Sequence, residues 1–182
     1  MKNVQIFAVV AGLALSTLCH AQSSPTIVNT TYDKFDDRTE VSTGESGVED
    51  AIARKKVKQD LRFQVSYLCA GNTSHCRPKN IELLFASHSS YEHIQSTNLV
   101  LLYNGRRVRA SKPRWRSGDD GAGNSIERIT FDIPAEDFLR LALAENVEGR
   151  LGETTFKLSN ANPSGMRALA NEMNSPARGK GE

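Results

Sequence analysis

The sequence has few cysteines, a single tryptophan and almost no net charge. Three cysteines are too few for a disulfide-rich scaffold. A formal net charge of +2 gives the chain no general attraction to nucleic acid or anionic membranes. The composition lacks the bias toward Pro, Gln or Ser that is typical of disordered chains. The length of 182 residues suits one domain with a substantial core, so one globular domain is expected.

Long apolar runs are also missing, except at the N-terminus. Lys2 is followed by a mostly apolar stretch over residues 4–18, which is shorter than the ~20 residues of a membrane-spanning helix. The small residues Cys19 and Ala21 complete the layout of a secretory signal peptide cleaved after Ala21. One alternative is lipidation at Cys19, although such signals usually carry a small residue where this chain has Leu18. The other alternative is an N-terminal anchor that is not cleaved. We expect an exported bacterial protein, periplasmic or secreted, without stable membrane insertion.

Removal of residues 1–21 leaves two cysteines, Cys69 and Cys76, and lowers the formal net charge from +2 to +1. An even pair in an exported chain predicts a disulfide, here closing a loop rich in turn-forming residues. The loop-entropy stabilisation is on the order of 2.5 kcal/mol. Six residues between the thiols fit neither CxxC redox chemistry nor a zinc knuckle.

Alternating apolar and polar residues predict a β-rich body. Over residues 61–67 the apolar side chains point one way and the polar side chains the other, which is the period of a half-buried strand. Further strands are expected over residues 26–32, 38–43, 80–87, 99–103 and 125–133. Asn104-Gly105 predicts a type I′ hairpin turn. Residues 45–58 fit a loop, a frayed helix or a strand extension.

Two helices are predicted near the C-terminus, separated by a hairpin near Gly152. The first is expected to carry Pro134 in its first turn, and the second begins with Asn162 as N-cap. Because strand connections are short and no βαβ alternation occurs, we predict a β-rich α+β fold with mainly antiparallel sheets. A sandwich and a strongly curved sheet are both compatible with it. The single domain is expected over residues 22–174, followed by a flexible tail over 175–182.

Motifs of catalysis, metal binding and phosphate binding are missing. The sequence has no GxSxG elbow, no SxxK, no HExxH and no glycine-rich loop opening a helix. His88 and His93 are not at a zinc-binding spacing. Asp119, Asp120 and Asn124 lack the order of an EF-hand loop and fit a hairpin tip. We therefore predict no catalytic residue, metal site or cofactor.

A basic run occupies the second arm of the predicted hairpin and the residues after it. It consists of Arg106, Arg107, Arg109, Lys112, Arg114 and Arg116. If one strand register continues through the run, Arg107 and Arg109 share a face with Trp115, and Arg114 lies on the other face. Basic residues and Pro113 are typical of a protected edge strand. The functional alternative is a surface that docks an acidic partner through Arg107, Arg109, Arg114 and Trp115.

Two stretches resemble an uncharacterised family of short exported bacterial proteins. They are residues 32–44, YDKFDDRTEVSTG, and residues 131–159, FDIPAEDFLRLALAENVEGRLGETTFKLS. These motifs are structural and not chemical. The resemblance implies a strand-rich body that ends in a helix, a hairpin and a closing helix. It also implies an envelope or secreted location, and it supplies no activity and no site residues.

The leading hypothesis is a non-enzymatic envelope protein that binds another protein or a surface component. The partner expected is an acidic protein or envelope component and not nucleic acid, because the chain is predicted to be exported and nearly neutral. One alternative is a small periplasmic or secreted hydrolase that uses carboxylates such as Asp33, Asp36 and Asp37. Another is a carrier of an apolar ligand, which requires an apolar cavity.

Overall fold

The computed structural model describes residues 28–52, 61–89, 98–108, 110–119, 125–158 and 161–175. The predicted signal peptide lies outside these ranges, as does the predicted tail beyond Ser175. Within them the strands are β1 (Val28–Asp33), β2 (Arg38–Thr43), β3 (Ser46–Gly47), β4 (Glu49–Ile52), β5 (Leu61–Ala70), β6 (Asn80–Ser89), β7 (Leu99–Tyr103), β8 (Arg106–Val108), β9 (Arg114–Asp119), β10 (Ser125–Pro134), β11 (Val147–Leu151) and β12 (Thr154–Lys157). The helices are α1 (Ala135–Leu143) and α2 (Ala161–Asn174).

Seven strands form the larger sheet, here sheet A. Its order is β1-β2-β5-β6-β10-β9, and β3 pairs with β5 beyond the end of β2. The five-stranded sheet B has the order β4-β12-β11-β7-β8. Neighbouring strands in both sheets run antiparallel. The predicted β-rich α+β fold with antiparallel sheets and two helices is therefore confirmed.

The alternation predicted for β5 is confirmed over its whole length. Its buried side chains are Leu61, Phe63, Val65, Tyr67 and Cys69, and the residues between them are exposed or half-buried. The predicted hairpin turn joins β7 to β8, where Asn104 and Gly105 have φ angles of 47° and 75°. Gly152 has a φ of 59° and turns β11 into β12. Both turns need the left-handed backbone that asparagine and glycine tolerate best.

The core lies between the inner faces of the two sheets. Phe85 of sheet A and Phe156 of sheet B have ring centroids 5.3 Å apart. Phe63 and Phe131 pack around Phe85, with centroids 5.1 and 6.3 Å from it. The ring of Phe156 also covers Gly149 on the adjacent strand, at the position that a β-carbon would occupy. Four aromatic rings thus join the two sheets into one packed core.

The two helices pack against each other and against sheet A. Helix α1 contacts β6 and β10, and α2 contacts β1 and β2. Pro134 directly precedes α1 with an extended backbone and ends β10, so it does not lie in the first turn of the helix as predicted. Helix α2 begins at Ala161, so Asn162 lies in its first turn and is not the predicted N-cap. No helix in the described ranges is long and apolar enough to cross a membrane.

The difficult stretch at 45–58 is a strand extension as far as Ile52. Its short strand β3 pairs with β5 in sheet A, whereas β4 pairs with β12 in sheet B. The chain therefore passes from one sheet to the other at Val48, whose N–H donates to the carbonyl of Leu61 at 3.0 Å. Residues 53–58 lie outside the described ranges.

The predicted disulfide between Cys69 and Cys76 is confirmed, with the two Cα atoms 5.7 Å apart. The Tyr67 hydroxyl donates to the carbonyl of Ser74 inside the loop, and the Ser74 hydroxyl donates to Glu172 of α2, each at 2.9 Å. The loop is thus fixed both to sheet A and to the last helix.

Candidate functional site

The structure divides the basic run between the two sheets. Arg106 and Arg107 belong to β8 at the edge of sheet B, whereas Arg114 and Arg116 belong to β9 at the edge of sheet A. The single register expected from the sequence is therefore interrupted. The reason is the connection between them: the N–H of Ser111 donates to the carbonyl of Asp132 at 2.8 Å, and the N–H of Asp132 donates to the Ser111 hydroxyl at 2.9 Å.

Arg114 is held in ion pairs on the outer face of sheet A. Its Nη1 donates to Asp132 Oδ2 at 2.6 Å, and its Nη2 donates to Asp132 Oδ1 at 3.1 Å and to Glu82 Oε2 at 2.6 Å. The hydrogen bonds to Asp132, followed by the charges of both carboxylates, raise the pKa of Arg114. This predicted binding residue is thus neutralised within the protein.

Trp115 and Arg107 lie on different sheets. Trp115 opposes the buried Ile129 in register, so it points to the inner side of sheet A, where its edge position leaves it 46% exposed. Arg107 opposes Leu102 in register and shares the outer face of sheet B with it. Arg109 lies outside the described ranges. The structure therefore does not bring Arg107, Arg114 and Trp115 together as one patch.

The outer face of sheet B is the surface that Arg107 joins. Directly opposed residues of antiparallel strands lie on the same face, and one row here runs Arg107, Leu102, Glu148, Lys157. The next row runs Val100, Arg150, Thr155. A depression of about 710 Å³ lies on this face, lined by Val100, Leu102, Glu148, Gly149, Arg150, Thr155, Phe156 and Lys157. We call the row that begins at Arg107 and the row that begins at Val100 together the sheet B outer face.

The charges described on the sheet B outer face are mostly positive. Arg107, Arg150 and Lys157 are exposed, and none forms a salt bridge with another described residue. Glu148 is the one acid among the side chains described in these two rows. Between the charges lie Val100, which is half-buried, and Leu102, which is 36% exposed. The surface therefore combines an apolar centre with a positive surround.

The outer face of sheet A carries a second depression of a different character. Its volume is about 860 Å³, and charged and polar side chains line most of it. They include Asp33, Arg38, Glu40, Ser66, Lys79, Glu82, Arg114, Arg116 and Asp132. Leu68 is its main apolar contribution, with 52% of its surface exposed. Both depressions lie on outer faces and not between the sheets, where a carrier of an apolar ligand would need its cavity.

The acidic turn between β1 and β2 uses its carboxylates locally. Asp33 accepts hydrogen bonds from two backbone N–H groups of the turn at 2.8 and 3.4 Å, and Asp36 pairs with Arg38. Asp37 accepts a 2.9 Å hydrogen bond from the hydroxyl of Tyr32, which raises the pKa of that tyrosine. Of these three acids, Asp33 lines the depression on sheet A, and Asp36 and Asp37 line neither of the two depressions described above. The turn has the geometry of a hydrogen-bonded loop.

Histidine and acidic side chains form no metal cluster in the part of the chain that the structure describes. His75, in the disulfide loop, has its Nδ1 3.6 Å from Glu172 Oε1. The side chain of His88 and all of His93 lie outside the described residues. Asp120 and Asn124 of the expected hairpin tip lie outside them too.

Sequence reasoning singled out Arg107 alone on the sheet B outer face and missed the apolar and basic residues that define its character. These are Val100, Leu102, Arg150 and Lys157. A signal was present, since Arg150 and Lys157 alternate with buried residues along β11 and β12. However, the sequence does not reveal that β7 lies beside β11, and that pairing gives the charges their apolar neighbours.

Comparisons of the chain with family models, curated proteins and solved structures find no match. The resemblance of residues 32–44 and 131–159 to exported bacterial proteins therefore stays a prediction.

Proposed function

We propose that this chain is an exported, non-enzymatic protein that binds an acidic partner protein through the sheet B outer face. The observation that carries the proposal is the apolar centre of Val100 and Leu102 between cations that form no ion pair with the residues the structure describes. Apolar contact supplies affinity at the centre of an interface, and unpaired charges around it favour a partner of opposite sign.

Two further observations support the proposal. A disulfide such as Cys69–Cys76 forms and persists in oxidising compartments, in agreement with export. The hydrolase alternative has less support, because Asp36 and Asp37 are engaged within their own turn. Neither depression is enclosed between the sheets, which gives the carrier alternative no support.

The experiment is affinity capture from a periplasmic extract with the purified protein. The test variant combines Arg150→Glu with Lys157→Glu. The matched control combines Arg116→Glu with Arg128→Glu, two exposed arginines that oppose each other on sheet A and form no salt bridge within the described residues. Both variants change the net charge by the same amount.

We expect the wild type and the sheet A control to retain one acidic partner and the sheet B variant to lose it. With the identified partner, titration calorimetry should show binding weakened at least about tenfold, or roughly 1.4 kcal/mol, by the sheet B changes. Raising the salt concentration should weaken wild-type binding in the same direction. Equal recovery of the partner by all three proteins would remove the sheet B outer face from the proposal.

A further inference from the structure

We propose that β1 is a pairing edge through which two copies of this chain form a symmetric dimer, by antiparallel addition of β1 to β1. The proposal is independent of the sheet B outer face, since β1 lies at an edge of sheet A. It follows from a comparison of the edge strands in the described residues and from the side chains that β1 presents.

Among the strands that the structure describes, the edges other than β1 carry features that discourage strand addition, beginning with β3, which is only two residues long. Strand β8 is three residues long and contains two arginines. Strand β9 carries Arg114 and Arg116, and β4 is four residues long and joins β12 through an irregular register. Short strands, positive charges and irregularities are the usual protection of exposed edges.

Strand β1 has none of these features. Its sequence VNTTYD contains no lysine, arginine, glycine or proline, and half of its residues are Val or Thr. It pairs with β2 in an unbroken register from Val28 opposite Thr43 to Asp33 opposite Arg38. In such a ladder alternate residues direct their N–H and C=O away from the partner strand. Within the described part of the chain, no residue bonds to these outward groups of β1.

The inner side of β1 carries Val28, Thr30 and Tyr32. They oppose Thr43, Val41 and Thr39 of β2, which are buried. Tyr32 is nevertheless 40% exposed, because no strand covers its other flank within the described residues. Its hydroxyl is held by Asp37, so the ring is already fixed for contact.

A two-fold axis at Thr30 makes this strand complementary to itself. In an antiparallel pair, a residue whose N–H and C=O point toward the other copy must oppose a residue of the same kind. Such residues alternate along β1, so the numbers of two opposed residues are either both even or both odd. With Thr30 opposite Thr30, Tyr32 of each copy lies opposite Val28 of the other. Pairs of an aromatic and a β-branched residue stabilise adjacent strands, and here the symmetry repeats the pair twice. This self-complementarity points to a second copy and not to an unrelated extended segment.

Sedimentation velocity of the full-length gene product, purified after export, tests the dimer. A six-residue edge buries less than a standard interface, so concentrations up to about 200 μM are needed. We expect a reversible dimer for the wild type. Thr30→Lys places two like charges at the axis and should leave a monomer. Thr30→Gln is the matched control, since it places an uncharged side chain of comparable length at the same position, and it should still form the dimer.

Cross-linking tests the register without depending on the Thr30→Lys and Thr30→Gln variants. Under oxidation the Thr30→Cys variant should form a covalent dimer on a non-reducing gel, because residues opposed on the axis have Cβ atoms about 5 Å apart. The Thr31→Cys variant should form at least several-fold less covalent dimer. A wild type that stays monomeric at every concentration, with no cross-link at Thr30→Cys, would overturn the proposal. Preferential cross-linking at Thr31→Cys would overturn the register.

Discussion

Sheets A and B carry similar charged side chains on their outer faces but pair them differently. On sheet A, Arg114 bonds to Asp132 and Glu82, two carboxylates that oppose each other on neighbouring strands. On sheet B, Arg150 and Lys157 have no salt bridge within the described residues and lie beside apolar side chains. Charges that are already paired offer little to a partner, whereas unpaired cations beside apolar surface can gain from an acidic one. The difference predicts that changes in the Arg114–Asp132–Glu82 cluster of sheet A affect folding and changes on the sheet B outer face affect binding.

The largest expected effect on stability comes from the inner side of sheet B. Gly149→Ala places a β-carbon where the Phe156 ring lies, and that ring is buried against Phe85 and cannot move away freely. Overpacking of this kind should lower the free energy of unfolding by about 2–3 kcal/mol. Urea-induced unfolding followed by circular dichroism measures it.

Gly118→Ala is the control in sheet A. Gly118 also lies within a strand, but a β-carbon there meets no atom within 4 Å. Gly118→Ala should change the free energy of unfolding by no more than about 0.5 kcal/mol. Equal losses for the two variants would show that the Phe156 ring does not require a glycine beneath it.

A smaller effect is expected from a buried polar group of sheet A. Tyr67 is 1% exposed and donates to the carbonyl of Ser74. Tyr67→Phe removes that hydrogen bond and should lower the free energy of unfolding by about 1 kcal/mol at pH 7. The same urea titration measures this difference from the wild type.

The Tyr67 difference should also depend on pH. Burial, followed by the charge of Glu172, raises the pKa of Tyr67 from 10.0 to about 12. Between these values the unfolded chain loses the phenol proton while the folded chain keeps it, so stability of the wild type falls as pH rises above 10. The advantage of the wild type over Tyr67→Phe should therefore shrink from pH 9 to pH 11. A constant difference would mean that Tyr67 titrates normally in the folded protein.

The smallest effect compares the two outer faces directly. Arg114→Gln leaves Glu82 and Asp132 opposed without their cation, which should cost about 0.5–1 kcal/mol because the site is half exposed. Arg150→Gln should change the free energy of unfolding by less than about 0.5 kcal/mol. In 1 M salt the loss of unfolding free energy caused by Arg114→Gln should be smaller. A larger cost at Arg150 than at Arg114 would reverse the comparison.

Local signals predicted much of the fold because they act within a few residues. The alternation in β5, the Asn104-Gly105 turn and the start of α1 next to Pro134 each depend on backbone preferences or side-chain periodicity nearby. The stretch at 45–58 gave no such signal. Its strand β4 is defined by pairing with β12 much later in the chain, and no local pattern encodes that partner.

The candidate site was less predictable for the same reason. The alternation of the basic run continues past the point where the chain leaves sheet B, so the sequence suggested one strand. The separation depends on Ser111 bonding to Asp132, and the fate of Arg114 depends on Glu82, both distant along the chain. Charge identity was visible in the sequence, whereas charge pairing was set by strand order.

The strand order has a consequence for how the chain folds. Sheet B takes its strands from both ends of the domain, since Ile52 of β4 pairs with Thr155 of β12, roughly a hundred residues later. Sheet A is interleaved with it, so neither sheet is a continuous segment that folds first by itself. Pairings this distant are slow to form, in the range of milliseconds to seconds for small β proteins. During synthesis, which begins at the N-terminus, β4 must therefore remain without its partner strand β12 until nearly the whole domain has been made.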